Sequence, residues 1–153
     1  MTTLKEDFIL KIFNCSKESY KTWKILPSIT ISQSCLESGF GKHDMGVNNL
    51  FGFKGSGPAG SIVLPTKEWD NNTQKFITID QKFRAYNSVC ESVFDHDRLL
   101  ATKIYYKNAR KYMNDPLNFI KQLTGVYATD PNYDKKLLNI INHFNLLEYD
   151  KKL

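Results

Sequence analysis

Apolar residues Leu4, Phe8, Ile9, Ile12 and Phe13 recur at three- and four-residue intervals near the start of the chain. That spacing puts them on one face and predicts a first amphipathic helix. Leu26-Pro27-Ser28-Ile29-Thr30 suits a second helix start, with proline in the first turn. This helix is expected to run to about Ser38, where Gly39 and Gly41 allow the left-handed backbone of a helix end. The pattern then changes, because five of the eight glycines, with Pro58, fall between residues 46 and 60, a loop composition. Ile62 to Thr66 and Phe76 to Ile79 read as short strands, with Asp70-Asn71-Asn72 as the turn between them. Helix returns at Ser88, where Ser88 and Glu91 have capping-box spacing. Asp115-Pro116 and Asp130-Pro131 each read as an N-cap followed by proline, opening helices over 117–123 and 132–146. No repeat or low-complexity linker interrupts the chain. The expected class is α+β, mainly α, a single domain over residues 1–153 with a small β-hairpin lobe at about 55–82.

Composition narrows the function classes. With 153 residues, 41% hydrophobic and 24% charged, the chain has ordinary globular proportions. Aromatic residues at 13% are plentiful, as sugar-binding clefts require but as a core also uses. The net charge of +5 rests on lysine, with arginine only at positions 84, 98 and 110. Nucleic-acid readers rely on the planar arginine fork, so no nucleic-acid partner is expected. A diffuse lysine excess fits either loose attraction to an anionic polymer or simple solubility. Cys15, Cys35 and Cys90 are odd in number and far apart, with no CxxC pair and no zinc spacing, and read as reduced thiols. Glu6 and Asp7 stand where a signal peptide needs basic and then apolar residues, and no apolar run approaches the roughly 20 residues of a membrane span. These features predict synthesis in the cytoplasm without a signal peptide, no membrane insertion, and a monomer.

One stretch raises a chemical question. In Ser32-Gln33-Ser34-Cys35-Leu36-Glu37-Ser38-Gly39-Phe40-Gly41, a lone carboxylate is flanked by small residues and followed by glycines. A helix ending there, beside a glycine loop and below a β lobe, would deliver Glu37 to the floor of a cleft. Small neighbours would let a bulky substrate approach, and shelter by Leu36 and Phe40 would raise its pKa. An acid so placed can stay protonated and donate to a leaving oxygen. On spacing alone, an ordinary surface glutamate fits as well.

Four blocks resolve that ambiguity together: "LPSITISQSCLESGFGKH", "NNLFGFKG", "FRAYNSVCESVFDHDRLL" and "YATDPNY". In order and spacing they resemble the glucosaminidase family of bacterial cell-wall hydrolases, which includes autolysin catalytic domains and the hydrolase domain of the flagellar rod-cap protein. The resemblance spans about residues 26–150. It implies a lysozyme-like helical fold with a β-hairpin lobe, and an endo-β-N-acetylglucosaminidase cutting peptidoglycan after N-acetylglucosamine. Glu37 matches the family's catalytic acid. Thr66-Lys67-Glu68-Trp69 resembles the segment that carries the second carboxylate, making Glu68 the candidate, with Asp70 and Asp80 behind it. Tyr127 matches a tyrosine expected beside the acid, and Tyr133 is expected to assist. Asn49 and Phe51 match the loop lining the cleft. Asp130 reads better as an N-cap, and Arg84, Tyr86 and Glu91 as scaffold. His96 departs from the aromatic residue often found there.

Glu37 is thus expected as general acid and Glu68 as a base or charge stabiliser brought in by the lobe. Retention, inversion and participation of the substrate's acetamido group all remain open from sequence. The sequence offers no metal cluster, and this chemistry requires no cofactor. A muramidase or lytic transglycosylase of similar fold would share the helix-end glutamate, and a non-catalytic wall-binding module is the alternative from another class. The expected partner is the peptidoglycan glycan strand, in bacterial lysis, whether the chain is a phage endolysin or an autolysin catalytic domain.

Overall fold

The computed structural model describes residues 2–153. Helix α1 (Leu4–Trp23) opens with Thr3 accepting a hydrogen bond from the Glu6 amide at 3.1 Å. It continues ten residues past Phe13, because Cys15, Ser16 and Ser19 also face inward. Helix α2 (Pro27–Ser38) begins and ends where the sequence places it. A loop with glycines follows, then strands β1 (Ser61–Asp70) and β2 (Lys75–Arg84), paired antiparallel from Ser61↔Arg84 to Asp70↔Lys75. Both strands are longer than expected, since cross-strand pairing carries their exposed, mixed-polarity ends. Helix α3 (Val89–Thr102) is capped by Ser88, which accepts from Glu91 N at 3.2 Å. The Glu91 carboxylate reaches back to Asn87 N, at 2.6 Å, rather than to Ser88.

Two 3₁₀ turns over 104–106 and 109–112, absent from the sequence reading, lead to α4 (Pro116–Lys121). Helices α5 (Tyr133–His143) and α6 (Leu147–Asp150) complete the fold. Asp130 is not the cap of α5. Asn132 holds that position, while Asp130 accepts from Asn132 N at 2.9 Å in a turn just before it.

The core is built around α2. Every residue from Pro27 to Cys35 is buried, polar ones included. Its serines are tolerated there because their hydroxyls return to the helix's own carbonyls: Ser32 to Ile29 at 3.1 Å, Ser34 to Ile31 at 2.8 Å, Ser38 to Ser34 at 2.6 Å. The small residues before Glu37 therefore admit neighbouring helices closely, rather than a substrate as expected. Its Ile29 and Ile31 pack in one core with Ile9, Ile12, Leu100, Phe119 and Leu137. The start of α2 is closed from the far end of the chain, where Asp150 accepts from Ser28 N at 2.8 Å and from the Ser28 hydroxyl at 2.6 Å.

The reading of three reduced thiols is corrected. Cys15 and Cys90 form a disulfide between α1 and the first turn of α3, their Cα atoms 4.9 Å apart, and Cys35 is the free, buried thiol. A separation of 75 residues hides this pair from any local motif. Disulfides persist in oxidising surroundings.

Candidate active site

Glu37 is the penultimate residue of α2, and the backbone just beyond it is left-handed at three successive positions: Gly39, Phe40 and Gly41 have φ of 57°, 58° and 87°. Glycine meets no Cβ clash in that region. Phe40 does, and its ring is held against Phe8 (6.4 Å) and Phe144 (5.5 Å), contacts that stabilise the strained residue. A side chain at Gly41 would also strike the Phe8 ring, with Cβ only 2.7 Å from it. The helix end that presents Glu37 is thus set by packing on both sides of the turn.

The Glu37 side chain is open to solvent along one side, yet protein packed around the carboxyl strips enough water to raise its pKa above the ordinary glutamate value. A hydrogen bond from Tyr133 and the proximity of His96 pull the other way without cancelling the effect. The Tyr133 hydroxyl donates to Glu37 Oε1 at 2.9 Å. Its oxygen accepts from Gln33 Nε2 at 2.9 Å, and Gln33 Oε1 lies 2.7 Å from His96 Nε2. His96 Nδ1 is 2.8 Å from Asp97 Oδ1, which also accepts from the Thr30 hydroxyl at 2.6 Å. Gln33, His96 and Asp97 have no exposed surface. Five side chains thus link the interior to the acid.

Tyr133, not Tyr127, touches Glu37. Tyr127 stacks on the Tyr133 ring at 5.7 Å, and its buried hydroxyl has no partner among the described residues. Burial and neighbouring acidic groups raise the pKa of both phenols, so both keep their protons. Asn49 and Phe51 lie behind the site. The Asn49 amide donates to Phe53 O (2.9 Å) and Arg84 O (3.0 Å) and accepts from Phe53 N (3.1 Å), pinning the loop to the hairpin base. Phe51 stacks on His96 at 4.1 Å. Expected in the cleft lining, Asn49 and Phe51 are 1% and 5% exposed and hold the loop beneath it.

The hairpin carries three acids, and register separates them. Positions 62, 64, 66, 68 and 70 of β1 are the more covered face and 63, 65, 67 and 69 the exposed one. Glu68 lies on the covered face, with the Thr66 hydroxyl at 3.2 Å and Lys54 Nζ at 3.8 Å. Asp70 is engaged in the turn, accepting from Asn72 N and the Thr73 hydroxyl. Asp80 pairs across from Pro65 on the exposed face. At the hairpin base, Asp95 accepts from Arg84 (2.7 Å), Tyr86 (2.6 Å) and Arg98 (2.6 Å), which clips β2 to α3 and holds the Asp95 pKa low.

Sequence reasoning missed Thr30, Gln33, His96 and Asp97. The available signal was Gln33, a full amide one helical turn before Glu37 in a run otherwise trimmed to small side chains. A surface hollow of about 420 Å³ beside α3 is lined by Phe94, Asp95 and Arg98 and contains none of the residues around Glu37.

Over residues 14–146 the sequence matches the family described as Glucosaminidase, mannosyl-glycoprotein endo-beta-N-acetylglucosaminidase. It is 36% identical over 140 residues to the exo-glucosaminidase LytG of Bacillus subtilis, covering 86% of this chain and 49% of that protein. It is 34% identical over 162 residues to a probable N-acetylmuramidase of Lactococcus lactis, covering 97% of this chain and 36% of that protein. Among solved structures, the catalytic domain of the autolysin Auto from Listeria monocytogenes superposes with a TM-score of 0.87 at 32% identity, covering 97% of this chain and 89% of that one. The chain spans about half or less of the length of these curated relatives. The helical architecture with its hairpin lobe is shared with the Listeria monocytogenes domain.

Proposed function

The chain belongs to the glucosaminidase family, and from that premise we propose that it is a peptidoglycan hydrolase, an endo-β-N-acetylglucosaminidase that cuts the glycan after N-acetylglucosamine. The observation that carries this reading is the Glu37 carboxyl: open to solvent at a helix end, raised in pKa by desolvation, and oriented by Tyr133. Such an acid keeps its proton closer to neutral pH and gives it to the departing glycosidic oxygen as the C–O bond breaks. Positive charge then develops on the sugar ring. We assign Glu68 to answer that charge or to activate water, because it is the hairpin acid free of the turn and on the covered face. Tyr127 backs Tyr133 by stacking, and Asn49 and Phe51 brace the loop from behind. The catalytic unit is assigned to residues 1–153, acting on wall glycan strands without a cofactor.

A second reading, cleavage at the neighbouring bond, is favoured by the Lactococcus lactis relative's name as a probable N-acetylmuramidase. Mass spectrometry of borohydride-reduced digests of purified walls separates the two. New ends in reduced N-acetylglucosamine are the expected result. Ends in reduced N-acetylmuramic acid would establish the second reading, and anhydro-muramyl ends a transglycosylase. Walls that are bound but left uncut by the folded protein would make it a binding module.

A further inference from the structure

The hydrogen-bond chain beneath Glu37 has a direction, and one buried ring sets it. Tyr133 owns a single proton. When Gln33 Nε2 donates to the Tyr133 oxygen, that proton is left to point at Glu37, and both bonds are present at 2.9 Å. Gln33 can donate that way only with its carbonyl turned toward His96, where it sits 2.7 Å from Nε2. A carbonyl oxygen there requires an N–H on Nε2. The opposite amide orientation would need a bare Nε2, and it would present the carbonyl to Tyr133 and draw the phenol proton away from Glu37. The other ring nitrogen faces Asp97 Oδ1 at 2.8 Å, an oxygen already held by Thr30. Asp97 thereby holds the ring in place with Nε2 turned to Gln33.

The titratable groups around this chain are few. Asp97 and the edge of Tyr127, 6.1 Å away, face His96, whose ring face is covered by Phe51. Tyr133 touches Glu37, His96 and Tyr127 lie beyond it, and Tyr106 packs on Tyr127 at 6.1 Å. Accepting Glu37 as the acid, on which this inference rests, we propose that His96 is a positioning residue for it. Its Nε2–H fixes the Gln33 amide, and the amide commits the Tyr133 hydroxyl to donating toward the Glu37 carboxylate. The relay thereby counters the desolvation of Glu37 and keeps the acid able to cycle between its two forms.

The test is a ¹³C NMR titration of the Glu37 carboxyl in the whole chain, in wild type, Gln33→Leu, His96→Phe and the double variant. The His96→Phe ring retains the stack on Phe51 and loses the N–H. A neutral hydrogen bond contributes about 0.5–1.5 kcal/mol, so each single variant should move the Glu37 midpoint up by roughly half to one pH unit. The double variant should move it by less than the sum, because both changes break one chain. His96→Gln, whose amide can still donate to Gln33, should fall between wild type and His96→Phe. Gln33→Met substitutes for Gln33→Leu if the latter does not fold. The alkaline limb of the turnover profile should move with the titration. Unchanged or lowered midpoints, or fully additive shifts, would overturn the relay. The titration needs no substrate, so the failures are distinct. The expected shifts in a protein that cuts no wall would sink the proposed function and leave the relay standing, whereas additive shifts in a lytic protein would sink the relay alone.

Discussion

The floor and the flap of this site are built to opposite standards. Helix α2 is buried from Pro27 to Cys35, tied at its start by Asp150 and at its end by the left-handed turn under Phe40. Among the described residues the hairpin is a two-stranded sheet, a form marginally stable by itself, joined at its base by a bridge from Lys54 to Phe83. It extends on the order of 30 Å from its base, exposing Trp69 and Phe76 near its tip. Its base is anchored by Asp95 and Asn49. Glu37 therefore sits where the whole core determines its position, and Glu68 where only the anchors at the hairpin base do. A proton donor must be set accurately against one oxygen, whereas a charge that answers a developing cation tolerates a lever that adjusts to a polymer.

The largest effect should come from the floor. Glu37→Gln is expected to lower wall lysis on the order of 10²–10⁴-fold, the usual contribution of a general acid, with the fold intact. The raised pKa means that ionised Glu37 opposes folding at pH values above its unfolded midpoint, so the amide should melt at or above wild type at pH 7. A folded Glu37→Gln protein with near-normal lysis would remove Glu37 from the mechanism. Next is the link that holds the helices together. Serine at both Cys15 and Cys90 frees a loop of 75 residues, and chain entropy gives an upper cost of about 4 kcal/mol, read as a lower denaturant midpoint. An unchanged midpoint would show that helix packing alone secures α1 to α3.

The flap should respond less. Glu68→Gln is expected to reduce turnover by about 10²-fold, the lower end for acid–base assistance, with KM little changed. Near-normal turnover beside a severe loss in Asp70→Asn or Asp80→Asn would move the second carboxylate. The smallest effect is structural. Trp69→Ala removes an edge-to-face contact with Phe76, 5.1 Å between centroids. It should cost roughly 0.2–1 kcal/mol, seen as faster amide exchange along the hairpin with the helical melting temperature unmoved. A global drop in melting temperature would mean that flap and floor fold as one unit.

What the sequence made legible follows the same division. Pro27 and Gly39 mark the two ends of α2, and Ser88 and Asp115 mark two more helix starts, because capping chemistry is local. The strands are visible only in part, since their outer halves alternate too little to be told from loop. Glu37 stands out by its odd neighbours, although those neighbours serve packing. Tyr127 rather than Tyr133 is placed beside the acid by motif, because the turn over residues 128–132 decides which phenol arrives. Gln33 and His96 lie 63 positions apart, and Cys15 and Cys90 farther still. No periodicity reports such pairs, which exist only once helices have packed.

The bond between Ser28 and Asp150 spans 122 positions, and that between Glu37 and Tyr133 spans 96. A ribosome makes the acid early and its partners late. Until residues 133 and 150 have been made, the nascent chain carries Glu37 on a helix whose first turn lacks the Asp150 carboxylate and whose carboxyl has no phenol beside it. Long-range closure of this kind is slow compared with local helix formation. A product broken off before residue 133 would contain the intact "CLES" block and lack the Tyr133 hydroxyl that orients the Glu37 carboxyl. The geometry around Glu37 is thus complete only once residue 133 has been made and has folded back onto α2.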